Sequence, residues 1–159
     1  MILKTVKFEW FQDYKTPSMY LAFPHCSFKC DKECGKQICQ NNHLNRSPER
    51  DISIEYIMNK YISNPITNAI VCGGLEPFDD FHELISFVSA VRGWYDCTDT
   101  IVIYTGYKPD EVKKEIELLK QYENIIVKFG RYIPNQAPHL DEILGVKLAS
   151  NNQFAVQIS

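Results

Sequence analysis

Short apolar runs alternate with helical segments along the chain, and this alternation limits the possible folds more than any other feature. The runs lie at residues 19–23, 67–71, 100–104 and 125–129, and residues 154–158 alternate like a closing strand. Apolar residues recur at helical spacing in the segments between them. Ser53 is predicted to cap a helix through Ile62 that carries Ile54, Ile57, Met58 and Tyr61 at this spacing, and Asp79 or Asp80 to cap a second helix that closes before Gly93. Pro109 is predicted to open a third helix whose charged residues, including Glu111, form a solvated face, and residues 130–145 are predicted to be irregular. Such strand–helix–strand alternation predicts a mostly parallel sheet whose helices make right-handed crossovers.

The chain length then decides between architectures of this α/β class. With 159 residues and 45% hydrophobic content, the chain can form one core, so we expect a single domain over residues 1–159. It is too short for eight β/α units, which favours an open, incomplete β/α barrel. A flavodoxin-like doubly wound sheet is the alternative.

Charge and hydropathy exclude several kinds of partner. A net charge of −3 and a pI near 5.8 provide no basic field, so we expect no binding to nucleic acid. No basic-plus-apolar leader and no apolar run of membrane-spanning length is visible in the sequence. We therefore predict a cytoplasmic protein that does not enter a membrane.

Residues 25–41 hold four of the six cysteines of the chain, directly after the first of the clear apolar runs. Active sites gather at the carboxyl ends of parallel strands, so this loop is predicted to be the functional centre. In reducing cytosol, clustered cysteines are more often metal ligands or redox groups than disulfides. The loop by itself supports an iron–sulfur cluster and a structural zinc ion equally.

Two further loops of chemical character follow the next two runs. Gly73 and Gly74 allow the backbone to come close to a ligand, and Glu76 adds a carboxylate that can receive an ammonium group. Cys72 is predicted to be a small buried hydrophobic residue. Thr105 opens the third polar loop, at the same edge of the predicted sheet.

The order of these motifs resembles that of radical S-adenosylmethionine enzymes. More narrowly, the chain is similar to the activating proteins of anaerobic (class III) ribonucleoside-triphosphate reductases. The similar stretches cover most of the chain and lie at residues 26–41, 73–77, 104–107, 130–132 and 149–153. The resemblance implies a partial β/α barrel of the radical S-adenosylmethionine type.

The cysteine loop departs from the usual family pattern, C-x3-C-x2-C. Cys26 and Cys30 fit, but no cysteine stands three residues after Cys30. Two residues can supply the third ligand, Cys34 or Cys39. We favour Cys39, because Asn41 follows it as in the family and Ile38 precedes it; Cys34 is then an alternative or additional ligand.

The resemblance also implies the cofactors and the reaction. A [4Fe–4S] cluster on Cys26, Cys30 and Cys39 cleaves S-adenosylmethionine reductively to a 5′-deoxyadenosyl radical. The predicted cofactor-binding residues are Gly73, Gly74, Glu76, Thr105, Ser150 and Asn151. No catalytic side chain beyond the cluster is predicted.

The resemblance also implies partners. The target is a glycine in a large anaerobic reductase, and an electron donor such as flavodoxin or ferredoxin reduces the cluster. An exposed apolar rim that includes Trp94 and Tyr95 is expected to contact the reductase. Two alternatives stay open: a radical enzyme of the same fold with another peptide or small-molecule substrate, and a non-catalytic zinc-binding interaction module.

Overall fold

The computed structural model describes residues 1–159 and shows a mixed α/β fold with a mostly parallel central sheet. The strands are β1 (Ile2–Leu3), β2 (Thr5–Trp10), β3 (Ser18–Phe23), β4 (Arg50–Asp51), β5 (Ala69–Gly74), β6 (Thr100–Tyr104), β7 (Ile125–Phe129), β8 (His139–Asp141), β9 (Val146–Leu148) and β10 (Phe154–Gln157). The helices are α1 (Lys29–Cys34), α2 (Asn42–Asn45), α3 (Ile54–Ile62), α4 (Phe81–Gly93) and α5 (Lys113–Leu119), with 3₁₀ turns at Pro77–Asp80 and Pro109–Glu111.

The central sheet has six strands in the order β10-β7-β6-β5-β3-β2. Strands β3, β5, β6 and β7 are parallel, whereas the edge strands β2 and β10 are antiparallel to their neighbours. The parallel strands follow chain order without a reversal, so the sheet has no topological switch point and is not doubly wound. The prediction of an α/β fold with mostly parallel strands is confirmed, and closure into a partial barrel stays a prediction.

The two faces of the sheet differ in what covers them. On one face, alternate strand residues such as Ile70, Cys72 and Ile101 join side chains of α3, α4 and α5 in a core cluster of 22 buried residues. On the other face, Val71 and Val102 belong to a smaller cluster of eight, completed by Tyr14 and by side chains in and beside the β8–β9 hairpin. The opposite face therefore has no helix of the β/α units on it, and it retains room for a pocket.

Local sequence signals account for the helix that follows the cysteine loop. Ser53 caps α3, its Oγ accepting a hydrogen bond from the Tyr56 N–H at 3.1 Å. The predicted apolar residues Ile57, Met58 and Tyr61 are buried in the core. The predicted bounds of this helix are confirmed.

Other boundaries differ from the sequence predictions. Strand β5 begins at Ala69 and runs through Gly74, so both glycines belong to the strand rather than to the loop after it. Pro109 opens a 3₁₀ turn, and α5 starts only at Lys113 because Val112 leaves the helical region. Residues 130–145, predicted to be irregular, include the first strand of the β8–β9 hairpin.

Candidate functional site

A pocket of about 520 Å³ opens at the carboxyl ends of the parallel strands, on the face without helices. Its lining includes seven of the residues predicted from sequence: Cys26, Cys30, Cys39, Gly73, Gly74, Glu76 and Thr105. Cys34, Ser150 and Asn151 are not part of the lining. The fold thus brings three cysteines, a carboxylate and a threonine hydroxyl from three separate loops to one cavity.

The cysteine loop reaches the pocket through short, largely exposed structure. Phe28, in the left-handed conformation with φ 51°, precedes α1, and Gly35 with φ 70° ends it. Neither α1 nor α2 contains a buried residue. Cys26 Sγ accepts a hydrogen bond from the Phe28 N–H at 3.2 Å. The loop is therefore shaped mainly by backbone turns and hydrogen bonds rather than by a core of its own.

Cys39, and not Cys34, joins Cys26 and Cys30 at the cavity. Cys26, Cys30 and Cys39 are half-buried, whereas Cys34 is exposed at the end of α1 and lies outside the lining. The C-x3-C-x8-C subset is thus the one whose thiols share the pocket. Cys72 is fully buried in the core on the helix-covered face of the sheet, in agreement with the predicted hydrophobic role.

Burial controls the ionisation of these thiols. It raises the pKa of Cys26 to about 12 and that of Cys30 to about 11, and it also raises the pKa of Cys39. The free protein therefore carries neutral thiols near pH 7. Metal binding must release their protons, which couples loading of the site to pH.

Close packing leaves little room for a side chain at either glycine, against backbone at Gly74 and against a tyrosine ring at Gly73. Gly74 has φ 89°, and a Cβ there would stand 2.7 Å from both the Ala22 Cα and the Phe23 N. A Cβ on Gly73 would stand 3.0 Å from the Tyr20 ring. The Gly74 carbonyl accepts a hydrogen bond from Asn41 Nδ2 at 2.6 Å, which ties the end of the cysteine loop to β5.

Glu76 is a buried carboxylate just beyond the carboxyl end of β5, with only 4% of its surface exposed. Its Oε2 accepts from the Gly106 N–H at 2.8 Å, and its Oε1 accepts from the Phe78 N–H at 3.2 Å. Burial nevertheless raises its pKa to about 7, against the lowering effect of these hydrogen bonds and one from Thr105. A cation entering the pocket would stabilise the ionised form.

Lys128, which the sequence interpretation missed, is a second buried charged residue in this lining. Its Nζ donates to the Gly130 carbonyl at 2.9 Å. Burial lowers its pKa to about 8, although the Glu76 and Asp13 carboxylates act in the opposite direction. The available signal was a lysine inside the otherwise apolar run at residues 125–129.

A tyrosine connects the cysteine loop to the loops after β5 and β6. Tyr107 Oη donates to Asp79 Oδ1 at 2.5 Å, and Asp79 Oδ2 accepts from the Ser27 N–H at 2.5 Å. Lys29 Nζ lies 4.3 Å from the centre of the Tyr107 ring. These contacts fix the beginning of the cysteine loop at the rim of the pocket.

Charged pairs complete the rim. Arg131 forms a two-pronged pair with Glu111, with Nη1–Oε2 at 2.8 Å and Nη2–Oε1 at 2.5 Å. Lys29 Nζ also contacts Glu111 Oε1 at 3.2 Å. Glu111 is exposed, as predicted, but it lies in the 3₁₀ turn that Pro109 opens and its carboxylate pairs with Arg131 at the end of β7.

The predicted C-terminal binding residues lie beside the pocket. Ser150 is fully buried, and its Oγ accepts from the Ile133 N–H at 3.3 Å. Asn151 is exposed. Ala149 and Gln153, one residue before and two after them, line the pocket instead. This segment contributes to the wall, but not through the two predicted side chains.

The histidine nearest the cysteines has carboxylate partners. His25 Nδ1 lies 2.6 Å from Asp80 Oδ1. Either Asp79 or Asp80 was predicted to cap α4; Asp80 stands at the N-cap position, but its side chain forms no capping hydrogen bond. The His25 carbonyl accepts from the Glu76 N–H at 2.8 Å. A backbone link thus joins the cysteine and glutamate loops.

Comparison with known protein families assigns this arrangement. A model of the 4Fe-4S single cluster domain matches residues 18–153. The chain belongs to this family. No curated protein and no solved structure matches it significantly. The match spans the three loops that carry Cys26, Glu76 and Thr105, so the iron–sulfur interpretation of the cysteines is supported.

The residues at the pocket fit such a cluster. Cys26, Cys30 and Cys39 supply three thiol ligands from one loop, and Cys34 stays outside. No three His, Cys, Asp or Glu side chains converge on a single metal-ion position. A four-iron cluster binds each cysteine to a different iron, so its ligands surround a volume rather than a point.

No helix in the structure has the length and apolar character needed to cross a bilayer.

Proposed function

We propose that this protein is a radical S-adenosylmethionine enzyme that generates a glycyl radical on an anaerobic ribonucleotide reductase. The single observation that carries the proposal is the pocket itself. Three cysteines from one loop and a buried glutamate from the next parallel strand line the same cavity. The [4Fe–4S] cluster supplies the electron that splits S-adenosylmethionine into methionine and a 5′-deoxyadenosyl radical.

The cysteine count supports ligand binding at the cluster. Cys26, Cys30 and Cys39 hold three irons, and the fourth iron has no protein thiol from this set. An open iron is the position at which the amino and carboxylate groups of S-adenosylmethionine are expected to bind. The proposed ligand therefore needs partners for its charged groups beside the cysteines.

Two buried residues of opposite charge are suited to that task. Glu76 is held by the Gly106 and Phe78 N–H groups and can receive the methionyl ammonium. Lys128 lines the same pocket and can contact a carboxylate. Each charge is costly to bury alone, and a zwitterionic ligand offsets both costs at once. Gly73 and Gly74 shape the wall, and Thr105 hydrogen-bonds the Glu76 carboxylate.

The pocket also suits a reaction that must exclude water. Tyr20, Tyr104 and Trp10 line its inner part, and the Trp10 and Tyr20 rings stack with centroids 5.0 Å apart. Aromatic walls of this kind keep a reactive radical away from solvent. The proposed substrate is a glycine-containing loop of the reductase, which enters from the face of the sheet that carries the pocket. Flavodoxin or ferredoxin is the proposed electron donor.

The unusual cysteine spacing favours one alternative. A loop with eight residues between its second and third cysteines differs from the usual activating proteins, so a different peptide or a small molecule is the second candidate substrate. Both candidates share the same cluster and the same ligand. They differ only in what receives the radical.

Electron paramagnetic resonance tests the cluster and ligand together. The anaerobically reconstituted, reduced protein should give a [4Fe–4S]⁺ signal that changes when S-adenosylmethionine is added. The Glu76→Gln variant should keep the cluster signal but require much more ligand for the change. Uptake of zinc without iron, or a signal that ignores the ligand, would mean a closed site and would exclude the radical mechanism.

A second experiment identifies the substrate. The reduced protein with S-adenosylmethionine is mixed with an anaerobic ribonucleotide reductase encoded by the same organism. A stable glycyl radical on the reductase supports the first candidate. Production of 5′-deoxyadenosine without a glycyl radical favours the alternative substrate.

A further inference from the structure

Asp31 lies inside the cysteine loop and is not one of the predicted ligands. Its Oδ1 accepts hydrogen bonds from the Ile38 N–H and from the Cys39 N–H, each at 2.8 Å. The Cys30 Sγ lies 3.7 Å from the same oxygen. One carboxylate oxygen therefore contacts both the second and the third cysteine of the pocket.

These contacts explain how a long loop can return to the cavity. Helix α1 ends at Cys34, and Gly35 then turns the chain with φ 70°. Residues 36–40 run back past Asp31, which receives two consecutive N–H groups that no other acceptor binds. Loss of that acceptor would leave both donors without a protein partner and remove the constraint on the Cys39 backbone.

The alternative ligand is close in sequence but directed elsewhere. Cys34 stands one helical turn after Cys30 on α1, yet its side chain is exposed and does not line the pocket. No other side chain forms a hydrogen bond with the backbone of residues 36–39. The choice between Cys34 and Cys39 therefore depends on whether the turn at residues 35–40 is closed.

On this basis we infer that Asp31 is a positioning residue that makes Cys39 the third cluster ligand in place of Cys34. The inference rests on the cluster of the proposed function. Asp31 does so by accepting the two N–H groups, so an amide oxygen at this position can replace the carboxylate. The negative charge adds a second, separable effect, since an anion beside the cluster favours its oxidised state.

Two substitutions separate the hydrogen bonds from the charge. Asp31→Ala removes the acceptor, and we expect the affinity for the cluster to fall about 10-fold or more, as for other residues that orient metal ligands. Asp31→Asn retains an acceptor, and we expect near-normal iron and sulfide content with a less negative reduction potential. Glu33→Ala is the matched control, because Glu33 is another carboxylate of α1 and its side chain contacts Arg131 rather than the turn at Cys39.

Cys34 provides a readout that general loss of structure would not give. In Asp31→Ala, the residual cluster should depend on Cys34, so Asp31→Ala/Cys34→Ser should hold several-fold less iron than Asp31→Ala alone. Cys34→Ser on the native background should hold as much iron as the unaltered protein. The inference would be overturned if Asp31→Ala held a full complement of cluster with an unchanged spectrum. It would also be overturned if Asp31→Ala and the double variant held equal amounts of iron.

Hydrogen exchange of the metal-free protein distinguishes this inference from the proposed function. The amides of Ile38 and Cys39 should exchange slowly in the unaltered protein and in Asp31→Asn, and at least 10-fold faster in Asp31→Ala. If the unaltered protein binds no iron, the proposed function and the ligand choice both fail, even if this protection is seen. If iron binds normally but the amides are unprotected, the inference alone fails.

Discussion

The cysteine loop and the glycine–glutamate loop face the same pocket but are held in different ways. Strand β5 is buried at every residue through Gly74, and Glu76 is buried and hydrogen-bonded by backbone groups. Helices α1 and α2 contain no buried residue, and the loop depends on Asp31, Asn41 and a rim of ion pairs. The side of the pocket proposed to bind S-adenosylmethionine is thus built by the core, whereas the side proposed to hold the cluster is built by local polar contacts.

This difference has a physical reason. A group that binds an ammonium must hold its charge in place before the ligand arrives, and rigid surroundings achieve that at low cost. Metal ligands instead gain much of their order from the metal, because binding and folding of the loop are coupled. The following predictions test this contrast, from the largest expected effect to the smallest.

The largest effect should come from the cysteines. Cys39→Ser should abolish the [4Fe–4S] cluster, whereas Cys34→Ser should leave the iron and sulfide content unchanged, because only Cys39 lines the pocket. Iron and sulfide analysis with electron paramagnetic resonance measures both. The opposite pattern would show that the loop rearranges on loading and that Cys34 is the ligand.

Gly74→Ala should damage the rigid loop strongly. The new Cβ would stand 2.7 Å from backbone atoms of Ala22 and Phe23, at φ 89°, so we expect a loss of about 3 kcal/mol or more in unfolding free energy. Gly35→Ala is the control in the cysteine loop: its φ is 70° but nothing lies within 4 Å of a Cβ, so the loss should be only about 1 kcal/mol. Urea unfolding of the metal-free proteins measures both, and equal losses would contradict the contrast.

Glu76 should give the metal-free protein a characteristic pH dependence. Burial raises its pKa from 4.5 to about 7 in the folded state, so its contribution to stability is complete below pH 4.5 and is lost as the pH rises through 7. The stability of Glu76→Gln relative to the unaltered protein should therefore rise by on the order of 2 to 3 kcal/mol between pH 4.5 and 8. Urea unfolding across this range measures the change, and parallel curves would show that the site is not preorganised.

The smallest effect should come from the rim of the cysteine loop. Arg131 lowers the pKa of Glu111 to about 2, so this pair stabilises the fold above pH 4.5 and the contribution is lost as the pH falls towards 2. Because the Glu111 carboxylate is still reached by solvent and Arg131 also contacts Glu33, Glu111→Gln should cost at most about 1 kcal/mol at pH 7 and nothing at pH 2. Thermal unfolding measures the difference, with the exposed Glu117→Gln, a partner of Lys120, as the neutral control. A larger loss would mean that ion pairs, rather than the metal, order the loop.

Much of the fold could be predicted because its signals are local. The apolar runs at residues 100–104 and 125–129 are strands with the predicted bounds, and Ser53 caps α3 as expected. The order of the strands without a reversal follows from short right-handed connections, although the sequence left the doubly wound alternative open. Cysteine clustering and the position of Glu76 indicated the site for the same reason: residues at the ends of successive parallel strands meet at one edge.

The tertiary structure decided which of these residues meet. Cys34 and Cys39 are both cysteines of the same loop. Only the turn that closes on Asp31 brings Cys39, rather than Cys34, to the pocket. Ser150 matched the family resemblance at residues 149–153, but its hydroxyl oxygen accepts a hydrogen bond from the Ile133 N–H. Lys128 is a single lysine in an apolar strand, and only the assembled sheet places it in the lining of the pocket.

The sequence by itself therefore determined the α/β class, the approximate positions of the main strands and helices, and the edge of the sheet at which the pocket lies. These depend on spacing of apolar residues, turn residues and caps, which act over a few positions. Only the tertiary structure showed which cysteines share the pocket, that Glu76 and Lys128 are both buried in its lining, and which polar contacts close the cysteine loop. Those features depend on hydrogen bonds and burial between residues distant along the chain or across a turn, and no local pattern specifies them.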